Sequence, residues 1–198
     1  MLTISVFAVV VLLVLFAIVT YNALVRARIR VREAWSGIDV QLRRRASLLP
    51  NLMKTVQAYA THERGTFEAV TEARAALQRA GGAADSARAN DALSQALGRL
   101  FAVAERYPEL RASENFRSLQ ADLNDAEEKI AYARQFYNRN VLDYNGRIEV
   151  FPGVAISRLF AFTPSEFFET DETGRAEVEM TFGQPSAPAG GTVPPPSA

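Results

Sequence analysis

The sequence predicts an all-α protein: an N-terminal transmembrane helix, an antiparallel four-helix bundle of up-and-down topology, and a disordered Pro-rich tail. Three observations carry that expectation. No charged side chain precedes Arg26, and Val6 to Val19 is unbroken apolar. Between Arg26 and Arg147 the helix breakers that matter are Pro50, the Gly81–Gly82 pair and Pro108, and the segments between them are rich in Ala, Leu, Arg, Glu and Gln, which are strong helix formers. From Phe116 the inward positions Leu119, Leu123, Ala126, Ile130, Ala133, Tyr137, Asn140 and Tyr144 follow in alternating steps of three and four, the spacing of a bundle seam.

The anchor comes first, over residues 1–25. Leu2 to Val19 is interrupted only by Thr3 and Ser5, and such a run rises ~27 Å, close to the hydrocarbon thickness of a thin bilayer. A cleaved signal peptide would want a basic leading region and a small-x-small cleavage site; neither is found around this run. Arg26, Arg28, Arg30 and Arg32 then follow at alternate positions before the first acid, Glu33. They suit contact with anionic lipid at the membrane surface. The positive-inside bias places this flank in the cytoplasm, hence a single-pass protein with its N-terminus outside and its C-terminal domain inside.

The bundle occupies residues 26–148. Its first helix carries Val31, Trp35, Ile38 and Leu42 at seam spacing, continuing directly from the anchor. Pro50 suits the first turn of a second helix, with Met53, Val56, Ala60, Phe67, Val70 and Leu77 before the glycine stop; the alternative is one kinked rod crossing Pro50. A third helix runs from about Asp85 to Tyr107 with Leu93, Leu97, Leu100, Phe101 and Ala104 inward, and a fourth from Ser113 to Arg147. Short connections make consecutive helices antiparallel.

Beyond the bundle lies an aromatic and acidic extension over residues 149–182. Phe151–Pro152–Gly153 stops the long helix, and Phe160, Phe162, Phe167 and Phe168 make the stretch too apolar to float free. It is expected to fold back on the bundle end, or on the membrane face beside it. From Ala176 to Phe182 apolar and polar residues alternate, a pattern able to add to a partner's sheet edge. Residues 183–198, with five prolines, read as disordered.

Composition excludes several kinds of chemistry. With 22 basic and 22 acidic side chains, the chain lacks the basic excess of a dedicated nucleic-acid binder. It has no Cys and one His, hence no thiolate zinc site, no cysteine nucleophile and no multi-His metal centre. His62–Glu63 begins like a zinc-protease helix, but Thr66 stands where the second His is required. Asp122, Asp125, Glu127 and Glu128 are without the Glu-x-x-His pairs of a di-metal bundle site, and Gly81–Gly82 is without the Lys-Ser/Thr of a phosphate loop. No cofactor, metal site or catalytic residue is implied.

A set of short blocks in this body resembles the LemA family. They are Tyr21–Asn22, Trp35, Ile38-Asp39-Val40-Gln41-Leu42, Arg43–Arg44, Leu48-Leu49-Pro50-Asn51-Leu52, Tyr59, His62–Glu63, Ala73–Arg74, Tyr107–Pro108, Asn115–Phe116, Leu119–Gln120, Leu123, the stretch Ile130 to Asn145, and Phe151–Pro152. The likeness covers roughly Tyr21 to Glu172. It implies a bacterial single-pass membrane protein with a helical-bundle domain, and supplies no catalytic residue. Some relatives act in membrane-associated structures and others occur beside membrane zinc metalloproteases, so a membrane protein of that kind is one partner it implies.

The residues of most interest are polar side chains at or beside inward positions: Asp39, Asn51, His62, Glu63, Arg74, Asn138, Asn140 and Asn145. The favoured reading is a set of buried hydrogen bonds and ion pairs fixing helix register, with Asp39 and Asn140 as test positions. The competing one is a polar cleft near His62, Glu63 and Arg74 serving a sensor or an enzyme. The function expected is a non-enzymatic membrane-anchored scaffold on the cytoplasmic face of the bacterial inner membrane, its partners being the lipid bilayer, other membrane proteins or further copies of itself. The neutral total conceals a gradient: residues 26–45 hold seven Arg against two acids, and residues 166–182 six acids against one Arg.

Overall fold

The computed structural model describes residues 1–169. The alternating segment 176–182 and the Gly/Pro tail lie outside them. Helix α1 runs without interruption over Leu2–Gln57, 56 residues or about 84 Å. Helices α2 (Arg64–Arg79) and α3 (Ala83–Ala104) form a hairpin, α4 (Pro108–Ala112) is a single turn, α5 (Glu114–Glu149) returns along α1, and α6 (Gly153–Leu159) closes the far end. Among the described residues there is no strand.

The first half of α1 stands apart from the rest. Phe7, Leu12 and Leu13 are 71, 65 and 62 % exposed, and the helix is long and apolar enough here to cross a membrane. From Leu24 onward the same helix turns a buried stripe to the bundle: Leu24, Ala27, Val31, Ala34, Ile38, Leu42, Leu49, Leu52 and Val56. The exposed apolar segment and the first bundle helix are therefore one rod.

The expected break at Pro50 is not there. Proline removes the N–H that would bond to the carbonyl four residues earlier, here Ala46, yet α1 continues a further two turns. Arg74 on α2 donates from Nε to the Ala46 carbonyl at 3.1 Å, so that oxygen has a partner in spite of the proline. The reversal falls instead at residues 58–63, which contain neither Gly nor Pro. Ala58 to Thr61 wind down through turn hydrogen bonds, Tyr59 and Ala60 both donating to Val56. The Glu63 carbonyl then accepts from Thr66 and Phe67 to start α2. The remaining boundaries lie close to those expected: Pro108 sits at the first position of α4, and Ser113 is the N-cap residue of α5.

Two contiguous cores fill the bundle. The distal one joins the end of α1 to α2, α3, α4 and the start of α5, through Leu49, Leu52, Val56, Val70, Leu93, Leu97, Leu100, Leu110, Phe116 and Leu123. The anchor-proximal one joins the middle of α1 to the end of α5, through Leu24, Val31, Ile38, Ile130, Tyr137, Val141, Tyr144 and Ile148. The α2–α3 hairpin contributes Ala83, Ala87 and the partly buried Leu77 to this second region, and the chain beyond α6 adds Phe162 and Phe168, both buried.

Candidate functional site

The sequence Tyr137-Asn138 recurs seven residues later as Tyr144-Asn145. Seven residues make close to two helical turns, so both pairs present the same face of α5. Against that face lies the extended segment 163–169, running antiparallel to the helix. Tyr144 donates its hydroxyl to the Thr163 carbonyl (2.9 Å) and Tyr137 to the Glu166 carbonyl (2.8 Å). Asn145 grips both backbone groups of Ser165, accepting from its N–H and donating to its C=O, each at 2.9 Å. Asn138 accepts from the Phe168 N–H at 2.9 Å and donates to the Phe168 carbonyl and to Glu169 Oε1.

The spacing explains why one repeat matches the other. Seven helical residues rise ~10.5 Å, and three extended residues span ~10 Å. Successive Tyr-Asn pairs thus meet backbone groups three residues apart. An extended segment on a helix has no ladder partner, and its N–H and C=O groups need one wherever they are buried. The asparagines supply what a neighbouring strand would. Burial, with the nearby Glu166 charge adding to it, pushes the Tyr137 hydroxyl above the ordinary phenol range, so it stays a donor.

This strap closes over aromatic side chains. Trp35 packs against Tyr137 and Phe168, with ring centroids 5.6 and 6.2 Å away. The turn between α2 and α3 abuts the strap at Gly82, where an added Cβ would lie 3.3 Å from Glu166 Oε2. Between that turn and α1 lies a groove of about 600 Å³, lined by Trp35, Asp39, Arg43, Leu77, Gln78 and Gly82 among others.

The four arginines that follow the apolar segment divide into two kinds. Arg28 lies over the Phe162 ring, 4.0 Å from its centroid, and Arg30 pairs with Asp143 at 3.0 Å, so both are engaged by the bundle. Arg26 and Arg32 are exposed. Burial pulls the Asp143 carboxyl upward, but the hydrogen bonds and charges of Arg147 and Arg30 together outweigh it and hold the group below its usual range.

The eight candidate polar residues do not form one network. Asn138 and Asn145 belong to the strap. Asn140 donates to the Phe136 carbonyl of its own helix, so it ties no second element to α5. Asp39 accepts from Arg43 one turn on, at the edge of the groove. Asn51 is exposed. His62 is exposed in the α1–α2 turn, Glu63 pairs with Arg106 at 2.8 Å, and Arg74 bonds to Ala46 three turns farther along α2. His62, Glu63 and Arg74 are thus not gathered into one cleft.

A buried polar layer escaped the sequence reading. Arg45 is 5 % exposed and donates to Asn90 Oδ1 and to Ser94 Oγ at 2.5 and 3.0 Å. Glu127 on α5 pairs with it at 2.7 Å. Burial lowers the Arg45 pKa, and the charges of Glu127 and Asp91 oppose that shift. The signal was present in the spacing. Ile38, Leu42, Arg45, Leu49, Leu52 and Val56 continue the steps of three and four, as do Ser86, Asn90, Leu93, Leu97 and Leu100 on α3. Arg45 follows Arg43 and Arg44 in an all-basic triplet, so charge alone does not single it out. Its neighbour Arg44 instead faces Asp122 and Asp125 near the surface. Among the described residues no three His, Cys, Asp or Glu converge as a metal site.

The model of the LemA family matches residues 34–182. The match takes in the bundle from Ala34, the strap and the alternating segment 176–182, and leaves out the apolar first half of α1. The magnetosome protein MamQ of Magnetospirillum gryphiswaldense is 26 % identical over 180 residues, covering 78 % of this chain and 66 % of the relative. Magnetosome protein MamQ 2 of Paramagnetospirillum magneticum is 25 % identical over the same length and coverage. The chain therefore spans slightly less than two thirds of the curated relatives it matches.

Proposed function

The chain belongs to the LemA family, and from that premise we propose that it is a membrane-anchored, non-enzymatic scaffold whose bundle stands on the cytoplasmic face of a bacterial inner membrane. One observation carries the reading: a single 56-residue helix is both the apolar anchor and the central element of the bundle core. No flexible linker intervenes, so the bundle is held at a set height above the bilayer. A rigid presentation of that kind raises the local concentration of partners in the same membrane, and weak contacts then suffice.

The relatives are named as magnetosome proteins. By extension the partners proposed here are components of a membrane-associated assembly, including further copies of this chain or a membrane zinc metalloprotease. The orientation is tested by alkaline phosphatase fusions after residue 60. Inactive fusions with active fusions at the N-terminus support a cytoplasmic bundle, and an active fusion after residue 60 reverses it. Proximity labelling from the bundle in the native membrane, followed by co-purification, tests the scaffold role.

A second reading is favoured by the groove between Trp35 and the α2–α3 turn, whose lining includes Asp39, Arg43 and Gln78. A sensor would take a small polar ligand there. A metabolite screen by thermal shift separates the two readings, because a ligand that binds only the folded state raises the melting temperature.

A further inference from the structure

The reversal between α5 and α6, with the end of α6, exposes large apolar side chains. Val150, Phe151, Leu159 and Phe160 are 61, 78, 74 and 53 % exposed. They are not loose ends of an unfolded stretch. Phe162 is buried a few residues on, Ile156 packs against the anchor-proximal core, and Ser157 is buried with its hydroxyl on the Ile148 carbonyl. The element is folded, and it directs four large apolar side chains outward.

Its position says what meets them. Phe160 and Phe162 pack against Tyr21, ring centroids 4.8 and 5.7 Å away. Gly153 approaches α1 so closely that an added Cβ would sit 3.7 Å from Leu24 Cδ2, besides striking the Arg147 carbonyl. Tyr21 and Leu24 both precede Arg26, the first charge in the chain. The tip is therefore level with the last turns of the apolar span. From Val150 to Ser165 there is one basic residue, Arg158, and no acid. Arg158 is exposed, as is Arg26 on α1. Aromatic and aliphatic side chains bordered by arginines at the end of a span are the composition of a membrane interface.

We propose that the α5–α6 tip is a second membrane contact, in which Val150, Phe151, Leu159 and Phe160 enter the boundary between headgroups and acyl chains beside α1. The occupant is lipid because the patch continues the apolar surface of the anchor at the same height, and whatever covers one meets the other. Insertion of this kind reaches ~5–10 Å below the headgroups. The contact fixes the rotation of the bundle about the anchor, which a lone helix leaves free. It rests on the anchored reading given above.

The chain has no cysteine, so single environment-sensitive labels go in without background. The full-length protein is reconstituted in phosphatidylcholine–phosphatidylglycerol nanodiscs as Phe151→Cys, Leu159→Cys, Leu13→Cys and Gln57→Cys, each carrying the fluorophore NBD. Helical content is checked by circular dichroism. Lipids bearing a nitroxide high on the acyl chain are expected to quench the labels at positions 151 and 159, and these labels to emit blue-shifted from that at position 57. Labels at 151 and 159 as wet and unquenched as that at 57, with quenching retained at 13 from a mid-chain nitroxide, overturn the proposal alone. Loss of quenching at 13 as well overturns the anchored reading. Labels at 151 and 159 shielded from iodide yet untouched by nitroxide lipid indicate a protein cover, a second copy included, and also overturn it.

Discussion

The Arg74 guanidinium donates to the carbonyl oxygen of Ala46, 3.1 Å away, the oxygen that Pro50 deprives of its helical partner. A proline inside a helix costs about 3 kcal/mol, part of it for the lost hydrogen bond. Here a side chain from the neighbouring helix makes up the bond and ties α2 to α1 in the same contact.

That relationship predicts a coupled pair of substitutions. Arg74→Ala leaves a partly buried carbonyl unmet and is expected to cost about 1–3 kcal/mol. In a Pro50→Ala background the residue at 50 regains its N–H, Ala46 regains an intrahelical donor, and Arg74→Ala is expected to cost distinctly less. Urea unfolding of the four proteins of the cycle in detergent measures the difference; strict additivity would mean that the two residues act separately.

Two of three consecutive arginines are expected to behave differently. Arg45→Ala removes a buried stem and strands Asn90 in the core, at about 2–4 kcal/mol. Arg45→Met keeps the packing and is expected to cost less, because a buried charge with imperfect partners stabilises little by itself. Arg43→Ala, whose side chain is 79 % exposed and pairs within its own helix, is expected to change stability by well under ~1 kcal/mol. Thermal melts of the three variants give the order.

The strap makes a separate prediction. Asn145→Ala and Asn138→Ala each remove the partner of both backbone groups of one residue, and amide exchange over 163–169 is expected to rise well before that of α5. Asn140→Ala, which loses only a bond to Phe136 in its own helix, is expected to leave strap exchange and melting temperature unchanged. Hydrogen–deuterium exchange read by mass spectrometry distinguishes them.

Acid is expected to loosen the α1–α5 contact. Hydrogen bonds from Lys129 and Arg44 hold the Asp125 carboxyl below its usual range, and Asp143 is held low by Arg147 and Arg30 against the pull of its own burial. A carboxyl depressed in the folded state contributes stability above its unfolded pKa of ~3.9, and the contribution is lost as pH falls through the lower folded value. The melting temperature is expected to hold from pH 7 to about 5 and to fall below about 4. In Asp125→Asn with Asp143→Asn it should start lower and fall less. Melts at stepped pH report it.

Much of this was legible in the chain, for reasons that are local. The apolar first half of α1 declares itself by the absence of charge before Arg26, and α5 by a seam kept in step from Phe116 to Tyr144. Helix termini were legible where a residue with its own backbone preference stood at them, as at Gly82, Pro108 and Ser113. The α1–α2 turn carries no such residue, whereas Pro50 looks like a boundary and is not one. Spacing marked Asn138 and Asn145 as inward polar residues, but the groups they grip belong to residues 20 and 30 positions away.

Which segments are helical, which stripe of each is apolar, and that the first helix opens with a run apolar enough to cross a membrane all follow from propensity and period along the chain. Packing settles the rest: α1 passes through Pro50, Arg45 lies inside while Arg43 and Arg44 do not, and the extension beyond α6 completes the core. Each of those depends on a partner distant in sequence: Arg74 for the Ala46 carbonyl, Asn90 and Glu127 for Arg45, and the Tyr-Asn repeat of α5 for the strap. A backbone oxygen or a buried charge is stable only where its counterpart arrives, and the arrival is a property of the packed fold.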